Sequence, residues 1–125
     1  MITGTGVDII ELERMRNMES RYGLRFLRKV FTDSEISYCQ SKLKSWQHFA
    51  GRFAVKEAVL KCLGTGIQDG IGWKDVEVSN DVLGAPSAKL TGGAEERAAE
   101  LGVKKIHISI SHGDSSAIAQ AIAEA

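Results

Sequence analysis

The chain has 125 residues, of which 43% are hydrophobic and 26% are charged, and its sixteen basic residues balance sixteen acidic ones. This composition is typical of one globular domain, expected to span residues 1–125, and it gives no support for a net-basic domain that binds nucleic acid. No apolar run could cross a membrane, the first residues lack signal-peptide features, and Cys39 and Cys62 have no CxxC spacing. We therefore expect a cytoplasmic protein with no membrane association and no disulfide framework or zinc site.

The first predicted element is a strand from Ile2 to Ile10, which mixes β-branched residues with glycines. Asp8 lies near its end, two residues after Gly6. Spacing alone favours Asp8 as the N-cap of a helix that begins near Glu11. The alternative is a functional carboxylate, since a glycine-bearing strand lets a ligand or another backbone come close.

The segment from Glu11 to about Lys29 has the pattern of a helix, bent near Gly23. One face carries a narrow stripe without any acidic member, formed by Arg14, Met18, Arg21, Arg25 and Arg28. A solvated charged face is the commoner role of such a run. Because this stripe repels itself, we predict that an anionic partner docks on it. The stripe itself contains no aromatic residue on which bases could stack, which makes nucleic acid the weaker candidate.

A capping box, Thr32-Asp33-Ser34-Glu35, follows, with Phe31 and Ile36 placed as its hydrophobic staple. It predicts a short helix to about Lys42, and we interpret these residues as structural. A longer central helix is predicted from about Ser45 to Leu63, ended by Gly64 in the left-handed conformation.

The central helix is apolar almost all the way round, yet it carries Arg52, Lys56, Glu57 and Lys61. An apolar helix is usually buried, and charged residues are seldom buried without a partner. Glu57 and Lys61 are four residues apart and predict an ion pair. Arg52 and Lys56 have the same spacing but repel each other, which leaves two interpretations open: a bound anion such as phosphate, or solvated charge.

Asp8 and Glu57 together would offer two carboxylates from separate elements. Magnesium takes one or two protein carboxylates along with water and substrate phosphates. The cations of the central helix would balance the remaining phosphate charge. The sequence therefore contains the components of a magnesium and phosphate site.

The remainder of the chain is predicted to form short strands and one helix. Glycines bracket a loop at 64–72, a helix runs from Thr91 to Leu101, and strands lie at about 76–79, 87–90, 106–111 and 117–123. A hairpin turn at 112–115 joins the last two strands. This order favours an α+β fold with a mostly antiparallel sheet packed on the long central helix.

Several motifs, in this order and spacing, resemble the stand-alone holo-[acyl-carrier-protein] synthases, a small type of 4′-phosphopantetheinyl transferase. The motifs are Gly6-x-Asp8, Phe31-Thr32-x-x-Glu35, Ala50-x-Arg52-Phe53-Ala54-x-Lys56-Glu57-Ala58, Lys61, Gly64-Thr65-Gly66-Ile67, Gly84-x-Pro86 and Ser109-x-Ser111-His112. The resemblance covers nearly the whole chain.

The resemblance implies transfer of the 4′-phosphopantetheine arm of coenzyme A to a serine of apo-acyl carrier protein, for fatty acid biosynthesis. Adenosine 3′,5′-bisphosphate is the other product, and Mg²⁺ is required. Asp8 and Glu57 would hold the metal and Lys61 would stabilise the leaving phosphate. A metal-bound water or Glu57 itself would accept the serine proton. Coenzyme A would contact Arg52, Lys56, Lys61, Gly64, Thr65, Gly66, Pro86, Ser111 and His112.

The resemblance also implies that the acidic carrier protein docks on the basic stripe and that three copies assemble with sites between neighbouring subunits. A strand-end histidine is more often structural, and the resemblance moves only His112 towards nucleotide binding; His48 and His107 are interpreted as structural. Two alternative functions stay open. One is a non-catalytic module that binds coenzyme A or a nucleotide, and the other is a different magnesium phosphotransferase or phosphodiesterase.

Overall fold

The structure is a computed structural model that describes residues 1–68 and 70–125. Within these ranges the chain forms five α-helices, five β-strands and one 3₁₀ turn. Their order is β1 (Ile2–Glu11), α1 (Leu12–Tyr22), α2 (Leu24–Val30), α3 (Asp33–Gln40), α4 (Ser45–Cys62), the 3₁₀ turn (Trp73–Asp75), β2 (Val76–Asn80), β3 (Pro86–Leu90), α5 (Gly92–Glu100), β4 (Lys105–His112) and β5 (Ser116–Glu124). The predicted α+β class is confirmed.

Two antiparallel sheets surround the central helix α4. One has the strand order β1-β5-β4, and the other is the hairpin of β2 and β3. Helix α4 packs against all three strands of the larger sheet and also contacts α1, α3 and β2. Its apolar character therefore follows from its position, since elements enclose it on several sides.

Small residues bring the larger sheet close to α4. A Cβ atom at Gly4 would overlap the carbonyl oxygen of Cys62, and one at Gly6 would overlap the carbonyl oxygen of Ala58. Alternate residues of a strand share a face, so Asp8 lies on the same, helix-facing side as these two glycines. In β5, the buried residues on that side are all alanines, namely Ala117, Ala119, Ala121 and Ala123.

The opposite face of the larger sheet carries apolar residues that no other part of the described chain covers. Val7 is 59% exposed, Ile9 is 62% exposed and Ile118 is 43% exposed. Ile9 and Ile118 are directly paired across β1 and β5, so they form one continuous patch. A patch of this kind on a small domain is typical of an interaction surface.

The predicted helix boundaries are largely confirmed. The capping box of α3 forms as predicted: the Thr32 hydroxyl accepts from the backbone N–H of Glu35, and Glu35 Oε1 accepts from the N–H of Thr32 at 2.8 Å. Gly64 follows α4 with a φ of +71°. The bend at Gly23 is a complete break, because its φ of +55° and ψ of −141° are not helical, and it separates α1 from α2. None of the helices described here has the length and apolar character needed to cross a membrane.

Candidate active site

A salt bridge joins the end of β1 to the central helix. The ammonium of Lys61 lies 3.2 Å from Asp8 Oδ1 and donates to the carbonyl oxygen of Val7 at 3.1 Å. The interpretation of Asp8 as a helix cap is wrong, since Glu11 occupies the N-cap position of α1. The partner of Lys61 is also Asp8 rather than the predicted Glu57.

Glu57 lies one turn before Lys61 on α4, so the two side chains share a face of the helix. The indole Nε1–H of Trp73 donates to Glu57 Oε1 at 3.2 Å. Among the described residues, no other side-chain hydrogen bond involves Glu57, which is half-buried, so its second carboxylate oxygen is not engaged. Lys61 therefore shares a helix face with Glu57 and binds Asp8 from β1, an element far from it in sequence.

These two carboxylates fit a magnesium ion better than a transition metal. The part of the chain that the structure describes contains no group of three or more histidine, cysteine, aspartate or glutamate residues that could hold a metal ion. A zinc site would need more protein ligands, usually nitrogen or sulfur. Magnesium keeps several waters and binds through one or two carboxylates plus substrate phosphates. The chemistry of the donor set is thus consistent with the predicted cation.

Lys56 has a different environment from the phosphate site that was predicted for it. Its side chain is fully buried, and its ammonium donates to Glu35 Oε1 at 2.8 Å, to the carbonyl oxygen of Trp73 at 3.1 Å and to that of Val76. Burial lowers the pKa of Lys56, and the neighbouring Glu35 carboxylate opposes this shift. All three N–H groups of the ammonium have protein partners, so this side chain has no donor left for a phosphate.

Glu35 makes further contacts that its place in the capping box does not predict. Besides capping α3, its carboxylate accepts from Lys56 through Oε1 and from the backbone N–H of Val78 through Oε2 at 2.8 Å. The ion pair therefore ties α3, α4 and β2 together inside the core. Spacing could not predict this pair, because Glu35 and Lys56 lie 21 positions apart on separate helices.

Arg52 is buried but keeps an unsatisfied donor. Its guanidinium lies 4.1 Å from the ring centroid of Tyr38, and Nη2 donates to Asn80 Oδ1 at 2.7 Å. Its Nε–H has no hydrogen-bond partner in the described chain. A buried donor without a partner is costly, so this atom is a natural contact for an oxygen of a bound anion. Pro86 is close by, since it pairs with Asn80 across β2 and β3.

His112 packs against the first half of α4. A Cβ atom at Gly51, the residue before Arg52, would meet His112 Nε2 at 2.8 Å. The ring centroids of His48 and His112 lie 6.3 Å apart. Burial lowers the pKa of His48, and the nearby His112 contributes a smaller shift in the same direction. His112 and Arg52 both lie near His48, and in the described chain no hydrogen bond or ion pair joins either of them to Asp8, Glu57 or Lys61.

The remaining predicted coenzyme A contacts are divided between two places. Gly64 and Thr65 line a cavity of about 340 Å³ beyond the end of α4 that also includes Arg97, and Gly66 follows them in the same loop. Ser111 is exposed, and strand alternation places it on the outer face of the sheet, opposite His112.

The predicted basic stripe spans two helices. Arg14, Met18 and Arg21 belong to α1, whereas Arg25 and Arg28 belong to α2, because Gly23 breaks the helix. All four arginines are exposed. Beside them lies an apolar cavity of about 360 Å³, which the sequence analysis did not identify; its walls include Arg14, Met18, Phe26, Lys29, Phe53 and Trp73.

Comparison with known proteins assigns the chain to a family. Residues 4–121 match the 4′-phosphopantetheinyl transferase superfamily. The chain is 48% identical over 124 residues to a holo-[acyl-carrier-protein] synthase of Geotalea daltonii and 44% identical to one of Koribacter versatilis, with 99% of each chain covered.

Solved structures agree with the sequence relatives. A holo-[acyl-carrier-protein] synthase of Neisseria meningitidis superposes over 100% of both chains with a TM-score of 0.90 at 29% identity. That of Helicobacter pylori, solved in complex with coenzyme A, covers 96% of this chain and 99% of its own with a TM-score of 0.84 at 30% identity. On sequence and fold together, the chain belongs to the 4′-phosphopantetheinyl transferase superfamily, among its holo-[acyl-carrier-protein] synthases.

Proposed function

We propose that this chain transfers the 4′-phosphopantetheine group of coenzyme A to a serine hydroxyl of apo-acyl carrier protein and releases adenosine 3′,5′-bisphosphate. The family and the relative solved with coenzyme A support this activity. The observation that carries it in this chain is the group formed by Asp8, Lys61 and Glu57 where β1 meets α4. Carrier proteins modified in this way serve fatty acid biosynthesis in the cytoplasm, where we expect the protein to act.

Asp8 and Glu57 would hold Mg²⁺, which supplies charge stabilisation and geometry for attack on the pyrophosphate. Lys61, which is paired with Asp8 and lies one helical turn after Glu57, would stabilise the charge that develops on the leaving phosphate. Positioning and charge stabilisation supply most of the catalysis in phosphoryl transfer. Carboxylates carried by two packed elements suit that requirement, because Asp8 belongs to a strand and Glu57 to a helix.

Arg52 would bind another phosphate group of coenzyme A through its unsatisfied Nε–H. His112, beside it, would contact the nucleotide end, and Gly64, Thr65 and Gly66 would present backbone N–H groups to phosphate. Lys56 is left out of this set, since its ammonium is bound within the core.

The active form would be a homotrimer with sites between neighbouring subunits. Two features support this assembly: the uncovered apolar patch of Val7, Ile9 and Ile118, and the separation of Arg52 and His112 from Asp8 and Glu57 in one chain. A neighbouring copy would cover the patch and bring the two groups together. Ile9→Glu should dissociate the assembly in sedimentation experiments and abolish transfer, and a trimeric, active variant would refute this arrangement.

Apo-acyl carrier protein would dock on α1 and α2. The exposed arginines complement an acidic partner, and the cavity beside Met18, Phe26 and Phe53 can receive an apolar side chain from it. Interfaces with an apolar centre and a charged rim have this arrangement. The carrier serine would then approach Glu57 from the Trp73 side of the cavity.

Mass spectrometry of the carrier protein tests the proposed function. Purified protein, coenzyme A and Mg²⁺ should convert apo-carrier protein to its phosphopantetheinylated form, and a metal chelator should stop the conversion. A chain that binds coenzyme A without modifying any carrier protein would instead be a non-catalytic module. Hydrolysis of coenzyme A in the absence of carrier protein would point to a phosphodiesterase.

A further inference from the structure

We propose that Trp73 is a positioning residue that orients the Glu57 carboxylate and that the buried Lys56–Glu35 pair holds Trp73 in place. This inference rests on the proposed function, in which Glu57 is a metal ligand. It adds a residue outside the motifs of the sequence analysis, at the start of the 3₁₀ turn Trp73–Asp75.

Trp73 contacts the Glu57 carboxylate through its indole ring. The indole Nε1–H lies 3.2 Å from Glu57 Oε1 and is the one side-chain donor to this carboxylate in the described part of the chain. Indole is a donor only, so the carboxylate oxygen is the acceptor in this hydrogen bond. The bond occupies one oxygen and leaves the other for a ligand, and it restrains a side chain that is otherwise flexible.

Lys56 holds the backbone of Trp73 in place. Its backbone carbonyl accepts from Lys56 Nζ at 3.1 Å, and the same ammonium binds the carbonyl of Val76 at the other end of the turn. Lys56 and Glu57 are consecutive in α4, so their side chains leave the helix at neighbouring positions but in different directions. The helix therefore holds Trp73 at two points, at its backbone through Lys56 and at its indole through Glu57.

Buried contacts around Lys56 and Trp73 make this arrangement rigid. Glu35 fixes the Lys56 ammonium through a fully buried ion pair, and the Trp73 ring packs on Phe53 with ring centroids 6.0 Å apart. Groups that orient a metal ligand in this way commonly change metal affinity by about 10–100-fold when they are removed. Trp73 fits that description, since its loss would remove a hydrogen bond without removing a ligand.

Trp73→Phe in the full-length chain tests the inference, with Trp46→Phe as the matched control. The protein has two tryptophans, and Trp46 packs under Arg16, away from Glu57. Electron paramagnetic resonance would measure Mn²⁺ affinity in the presence of saturating coenzyme A. Trp73→Phe should bind Mn²⁺ about tenfold more weakly, whereas Trp46→Phe should match the wild type. Excess Mg²⁺ should restore the turnover of Trp73→Phe, because the ligand itself is intact.

Fluorescence provides a second readout if Trp73→Phe folds poorly. In Trp46→Phe, Trp73 is the sole tryptophan, and its emission should change on Mg²⁺ titration with coenzyme A present. Wild-type Mn²⁺ affinity in Trp73→Phe, or an emission that ignores Mg²⁺, overturns the positioning role. Glu57→Gln separates the two proposals: if it loses Mn²⁺ affinity while Trp73→Phe does not, only the positioning role fails. If Glu57→Gln binds Mn²⁺ normally, the metal assignment itself fails.

Discussion

Two lysines on the central helix, Lys56 and Lys61, have similar sequence surroundings and opposite environments. Lys56 is fully buried, and its three N–H groups bind Glu35 and two backbone carbonyls. Lys61 has a side chain that is 53% exposed, and it binds Asp8, whose side chain is 18% exposed. One lysine completes the core, and the other stands at the edge of the candidate site.

The difference shows that the charged side chains of this apolar helix have two separate roles. Inside, Lys56 joins three elements and its charge is already balanced by Glu35. Outside, Asp8 and Glu57 bring two negative charges beside a single Lys61, so the group retains an excess of negative charge that suits a cation.

The largest effect is expected at the outer carboxylates. Asp8→Ala and Glu57→Ala should each reduce transfer by about a thousand-fold, because each removes a group that holds charge at the reacting phosphate. Thermal unfolding should change little, since neither side chain belongs to the core. Mass spectrometry of the carrier protein measures the activity, and near-wild-type, magnesium-dependent transfer by either variant would contradict the metal assignment.

The inner pair should respond in the opposite way. Lys56→Met should lower the free energy of unfolding by about 3–5 kcal/mol, because it leaves the buried Glu35 carboxylate without its cation. Lys61→Met is the matched control on the same helix and should change that free energy by less than about 1 kcal/mol, as exposed ion pairs do. It should nevertheless lose most transfer activity. Urea denaturation of both variants gives the comparison, and equal destabilisation would refute it.

The basic stripe should affect only the carrier protein. Arg14→Glu and Arg21→Glu should raise the KM for apo-acyl carrier protein about tenfold, since opposite charges guide the encounter between partners, and the effect should weaken with salt. The KM for coenzyme A should stay unchanged. Lys104→Glu, an exposed charge reversal outside α1 and α2, serves as the control. Equal changes in both KM values would contradict the docking role.

The smallest effect is expected at the buried thiols. Burial raises the pKa of Cys39 to about 12 and that of Cys62 to about 11, so neither forms a thiolate near neutral pH. A colorimetric thiol reagent at pH 8 should leave both unmodified in the folded protein and modify both after unfolding. Rapid modification of either thiol in the folded state would show that this part of the core opens.

Local signals predicted the fold well. The capping box at Thr32, the left-handed Gly64 after α4 and the alternation of Ile106, Ile108 and Ile110 depend on neighbouring residues only, and the structure contains all three features. The break at Gly23 was predicted only as a bend, because spacing shows where a glycine lies and not which φ it adopts.

Long-range partners could not be predicted from spacing. Lys61 binds Asp8 across 53 positions, and Lys56 binds Glu35 across 21, while the pattern on the helix suggested Glu57 and phosphate instead. Trp73 was missed for the same reason, as it reaches Glu57 from a turn 16 residues away. Spacing alone favoured Asp8 as a helix cap. The resemblance to the transferase family instead implied that Asp8 and Glu57 hold a metal ion.

Anomalous diffraction from Mn²⁺ in crystals grown with coenzyme A would locate the metal directly. We expect one strong peak between the carboxylates of Asp8 and Glu57, next to the pyrophosphate and close to the Lys61 ammonium. A peak elsewhere would contradict it. So would a structure in which the two carboxylates lie far apart, both within a chain and across every neighbouring copy.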